Sequence, residues 1–173
     1  FSSVKSPESK LSDLIDFINN DLGAYFESGI VLAYWFFSNS YECVNEFFQK
    51  IQPKSKNKLT KIEGMAWDLF HLWNIPSEMA TLSQTNNMIM LQALATHDDS
   101  LSKIAKLNPI IRIAFYAGEA QVKYKYAITD ILGNLPMFQS IYTLKSQREH
   151  ICETIDLLQL SSNLENQLLE LFK

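Results

Sequence analysis

The chain has 173 residues, of which 47% are hydrophobic and 20% charged, and a formal net charge of -4. That length and apolar content suffice for one globular domain with an ample core, and the mixed, mildly acidic charge leaves neither a basic surface for nucleic acid nor a polybasic membrane signal. The longest apolar run, Gly29 to Phe37, is about half of the roughly 20 residues a membrane span needs, so a cytoplasmic protein with no membrane partner is expected.

The first element starts at Ser6-Pro7-Glu8, where a capping hydroxyl, a proline in the first turn and an acid at the positive end all favour a helix. Leu11, Leu14, Ile15, Ile18 and Leu22 form its stripe, and Gly23 ends it. From Tyr25 to Phe37 a second helix is apolar nearly all round, which predicts a central position. Ser40 caps a third, with Val44, Phe47, Phe48 and Ile51 inward and Pro53 as its stop; the basic PKSKNK that follows is a solvated connection. Thr60 with Glu63 forms a capping box, followed by Ile62, Met65, Ala66, Leu69, Leu72 and Trp73 at helical spacing. Asn74 and Pro76 predict a stop, and Ser77-Glu78 a restart, so Trp73, Ile75 and Pro76 form a structural corner between two helices.

LSQTNN reads as a loop or frayed end and Met88 to Ala95 as a buried apolar segment of helical type. Asp98 or Asp99 caps a helix carrying Leu101, Ile104, Ala105 and Leu107. Pro109 to Leu132 is open to two interpretations. A stripe through Ile110, Ile113, Ala114, Ala117, Gln121, Tyr124, Ile128 and Ile131 predicts one long helix ended by Gly133. IIRIAFY and VKYKYAI, turned at AGEA, would instead make a hairpin. The stripe survives across the supposed turn, which favours helix. Ser146 with Glu149 and Ser162 with Glu165 are two further capping boxes, opening the last two helices. The expectation is an all-α, compact irregular bundle of about eight or nine helices in a single domain. Cys43 and Cys152 lie far apart in apolar helical surroundings and read as buried, reduced thiols. A start at Phe1 suggests a piece of a longer protein.

Gly64, Leu69, Trp73, Ile75 and Pro76 match a Gly-x-x-Leu-x-x-x-Trp-x-Leu-Pro pattern, and Phe26, Ser28, Gly29, Ile30, Val31 and Leu32 match the frame of Phe-x-Ala-Gly-Leu-Leu-His-Asp. With both stretches, the chain from Phe26 to Ala120 resembles HDOD domains, non-catalytic relatives of the HD-type metal phosphohydrolases. The resemblance implies an HD-like helical fold and a bacterial regulatory or signalling module that binds a protein partner, without catalytic residues, metal or cofactor. Where that family's His-Asp pair falls, this chain has Ala33-Tyr34, neither a metal ligand, and His97-Asp98 stands where a later His-His pair would. The family's N-terminal Asn-Ser pair is absent.

Two catalytic alternatives rest on other residues. His71, His97, Asp98 and Asp130 follow the order of an HD phosphohydrolase ligand set, in which imidazoles and carboxylates hold a divalent metal that activates water. Asp68, Asp98 and Asp99 suggest a PIN-like Mg²⁺-dependent nuclease, whose fold requires a parallel sheet. Met- and Leu-rich MIMLQAL lacks the β-branching such a strand would show. No glycine-rich phosphate loop is present.

Overall fold

A computed structural model describes residues 5–51, 56–86, 89–116, 119–133, 135 and 137–171. The chain's described residues are about 70% helical and form nine α-helices, one π-helical turn and one two-stranded sheet. It divides into two compact units, the first built on Phe1–Glu42, Gln52–Ser55 and Ile128–Lys173, the second on Cys43–Ile51 and Lys56–Ala127.

In the first unit, α1 (Pro7–Phe17) starts as its residues dictate: the Ser6 hydroxyl accepts from the Ser9 amide at 3.2 Å with proline in the first turn. Its helical bonds then widen into a π-helical turn, Ile18–Leu22, ended by Gly23 at φ 70. Only glycine enters that left-handed region without strain, and the site is crowded as well, since a Cβ there would lie 2.6 Å from the Cys152 amide nitrogen. α2 (Glu27–Phe37) packs on α1 and buries Ile30, Val31, Leu32 and Trp35. These meet Leu11 and Ile15 of α1 in a core completed by Ile128 and Leu132 of α6 (Ile128–Leu132) and by Phe138 and Ile141 of α7 (Phe138–Thr143). α8 (Lys145–Thr154) packs against the π-helical turn.

The boundaries at the C-terminal end differ from the expected capping boxes. Ser146 lies inside α8, and the last helix, α9 (Leu157–Leu171), starts well before Ser162. Asp156 supplies the cap, its carboxylate accepting from the Leu158 and Gln159 amides at 3.0 Å. An ionised carboxylate at a helix start gains from the dipole as well as from the bonds, so it outcompetes a serine further along.

The second unit is organised on α3 (Glu42–Phe48) and α4 (Lys58–Asn86). Expected stop Pro53 lies outside the described residues. α4 overturns the expected corner. Pro76 sits inside one continuous helix of 29 residues, and Asn74, instead of ending it, donates a side-chain hydrogen bond to Glu78 at 2.7 Å. Proline's fixed φ is itself helical; what it removes is one amide and the bond to the Leu72 carbonyl. Burial compensates, because Pro76 lies with Met65, Leu69 and Met79 on one buried stripe. The helix also starts at Lys58, two residues before the Thr60 capping box, with Asn57 at φ 56 and its carbonyl accepting from Lys61.

Two further expectations fail here. Ile89 to Ala95 is neither helical nor buried: it has no regular structure, and Ile89 and Leu91 are 76% and 79% exposed. The long helix from Pro109 is a hairpin, β1 (Ile110–Tyr116) antiparallel to β2 (Glu119–Tyr124), with an irregularity between Ile110 and Arg112. Burial follows a period of two, with cross-strand partners Ile113 and Val122 half-buried while Arg112, Ala114, Gln121 and Lys123 face solvent. Asn108 clamps the open end, donating to the Tyr126 carbonyl at 3.0 Å and accepting from its amide at 2.8 Å. β2 packs on α4. α5 (Asp99–Leu107) buries Leu101 and Ile104, and α3 buries Val44 and Phe47. Both cysteines are free, but Cys43 is half-buried and Cys152 exposed, so neither is the buried thiol expected.

Candidate functional site

Asp98 has a structural task. It caps α5: its carboxylate accepts from the Ser100 hydroxyl at 2.6 Å and the Leu101 amide at 3.1 Å and forms an ion pair with Lys50. Partial burial works against ionisation, but the Lys50, Ser100 and Leu101 hydrogen bonds outweigh it and hold the carboxyl at about 2. Its neighbour Asp99 pairs with Lys103 at 2.7 Å, a surface contact one helical turn long. His97 is exposed just before this cap. His71 is exposed on α4, and Asp68 is half-buried on the same helix. Asp130 is exposed on α6, in the first unit. Among the described residues, no group of three or more His, Cys, Asp or Glu side chains is arranged to hold a metal ion. Among the described residues the sheet is a single antiparallel pair, without the parallel strands a PIN-like nuclease requires.

His71 instead belongs to an aromatic ladder. Trp67, Phe70 and His71 recur at i, i+3 and i+4, so they share one face of α4. Trp67 meets Phe70 edge-on at 5.5 Å between ring centroids and stacks on His71 at 5.8 Å. Trp67 is 54% and Phe70 50% exposed, although both are large apolar side chains that folding ordinarily buries. Asn74 and the exposed acids Glu63 and Glu78 continue the face in both directions. An open pocket of about 360 Å³ begins on it, lined by Asn74, Ser77, Glu78 and Thr81 with Leu82 and Gln92. α4 therefore has two apolar faces, one turned into its unit and one bare.

The ladder did not stand out in the sequence, although one signal for it was there. Trp67 and Phe70 fall on the side of the helix opposite Met65, Leu69 and Met79, and a second apolar stripe on a helix already supplied with one is a signal for an interface. The corner residues hold no functional position: Trp73 and Ile75 are half-buried and Pro76 buried within α4. No helix among the described residues is long and apolar enough to cross a membrane. No family model, curated protein or solved structure matches the chain.

Proposed function

We propose that the chain is a non-catalytic, regulatory protein-interaction module, and that it binds its partner through the exposed face of α4. One observation carries this: Trp67, Phe70 and His71 form a contiguous aromatic surface held by edge-on and stacked contacts on a helix whose opposite face is fixed in a core. Tryptophan and other aromatic side chains dominate binding hot spots because they bury much area at little conformational cost. Glu63 and Glu78 at the ends of this face favour a partner with an apolar slot and a basic rim. The resemblance to HDOD domains supports the same class of function, and the engagement of Asp98 with Lys50 and the α5 cap argues against its service as a metal ligand.

A Trp67→Ser/Phe70→Ser double variant tests the proposal. Because both rings are about half exposed, it should unfold within about 1 kcal/mol of the parent. The immobilised variant should lose proteins that the parent retains from the extract of its own cell. Equal retention by both would contradict the proposal. So would stoichiometric Mn²⁺ or Mg²⁺ whose loss on His97→Ala abolished phosphodiester hydrolysis.

A further inference from the structure

Among its described residues, the first unit holds a buried cation that no carboxylate pairs with. Arg148 of α8 is 5% exposed, and its guanidinium, charged at every accessible pH, donates one side-chain hydrogen bond, from Nη1 to Asn19 Oδ1 at 2.7 Å. Asn19 is neutral. No carboxylate pairs with Arg148 among the described residues; what faces it is the ring of Tyr25, 5.4 Å away. A ring quadrupole supplies only part of what a carboxylate would, and an uncompensated buried charge is among the costliest things a fold can hold.

Every other polar group in the cluster also has a donor to offer. The Asn19 side chain is 1% exposed, and its Nδ2 is buried without a hydrogen-bond partner. Turning the amide over would not help, because it would set two donors against each other at the guanidinium; the orientation follows from the chemistry. The Tyr25 ring lies beside the guanidinium, and its phenol is close enough to Tyr142 for the two to affect one another's ionisation. Burial first, then the negative charge of Glu27, pushes the Tyr25 phenol up, so it remains a protonated donor. Both tyrosines are partly exposed, unlike Arg148 and Asn19.

The backbone holds this arrangement in place. Asn19 sits in the π-helical turn, a geometry concentrated at functional sites, and the Gly23 backbone lies so close to the carbonyl of Arg148 that a Cβ would come within 2.8 Å of it. The neighbouring Gln147 and Asn20 side chains join the same two elements at 2.8 Å. Donors are pre-positioned and an acceptor is missing.

We propose that Arg148, Asn19, Tyr25 and Tyr142 form a binding site for a small oxyanion, a carboxylate or a phosphate group. The oxyanion accepts from the free edge of the guanidinium, from Asn19 Nδ2 and from a tyrosine hydroxyl, and supplies the counter-charge the fold lacks. The proposal does not depend on the partner-binding face of α4, which belongs to the second unit.

The test is thermal unfolding at constant ionic strength in chloride, inorganic phosphate or acetate. The parent protein should show a saturable rise, on the order of 5 °C at about a hundredfold excess over Kd, in phosphate, in acetate or in both, the effective anion naming the ligand class. Asn19→Asp places a carboxylate permanently beside Arg148. It should melt higher than the parent in chloride and no longer respond to either anion. A parent with no saturable response to phosphate or acetate would overturn the proposal, as would an Asn19→Asp variant that responds as the parent does. Should that variant fail to fold, the side-chain Nε–H resonance of Arg148 in the parent decides: a saturable shift on titration with either anion supports the site, and none overturns it.

Discussion

Asp98 shows how one side chain can satisfy several neighbours and thereby leave chemistry. Its carboxyl is held at about 2, below its ordinary value, by Lys50, Ser100 and the Leu101 amide acting against partial burial. A depressed folded-state value means the ionised form stabilises the fold; the contribution is complete above the ordinary carboxylate range near 4 and is lost as pH falls from there towards 2. Asp98→Ala should cost about 1–2 kcal/mol at pH 7 in urea unfolding, as a lost helix cap does, and the gap to the parent should narrow as pH falls from about 4 through about 2. A gap independent of pH would show that the charge does not matter. The His97-Asp98 dipeptide was legible, and so was Asp98 as a cap; the pairing with Lys50 was not, because it joins residues far apart in sequence. Arg148 was illegible for the same reason: nothing in SQREH marks an arginine that will be buried against Asn19.

At the scale of elements, local signals located some boundaries and missed others: Gly23 and Gly133 follow helix ends, while Ser146 and Ser162 lie inside helices. Ser6-Pro7 caps a helix as expected and Asp98 is the one of the two expected candidates, Asp98 and Asp99, that does so, whereas Pro76 is absorbed into α4 because its buried stripe continues to Met79 and packing outweighs one lost backbone bond. The hairpin was visible in the alternation of VKYKY, but a helical stripe ran through the same residues. Cross-strand pairing, with β2 packed on α4, decided between them. Two glycines test this picture in opposite directions. Gly64 is exposed inside α4, where a Cβ would meet nothing within 4 Å, so Gly64→Ala should stabilise by roughly 0.5–1 kcal/mol. Gly23 combines φ 70 with close backbone on its Cβ side, so Gly23→Ala should cost at least about 2 kcal/mol. Chemical denaturation of the two variants measures both, and a destabilised Gly64→Ala would show that α4 is not a continuous helix.

For the whole molecule, helical class follows from the apolar stripes, although the hairpin and residues 89–95 depart from it. Far-ultraviolet circular dichroism should show well over half helix, as about 70% helix among the described residues requires. A strand-dominated spectrum would contradict the fold. Trp67 and Phe70 did not stand out in the sequence, because a binding surface differs from a core stripe only in what is left uncovered after folding. The most direct measurement of that surface is photo-crosslinking in the protein's own cell, with benzoylphenylalanine in place of Phe70 or, as a control, of Asp16, exposed on α1. A discrete protein adduct should form from position 70, vanish when Trp67→Ser is added, and be absent from position 16. No adduct at position 70, or the same adduct from both positions, would contradict the assignment of this face to a partner.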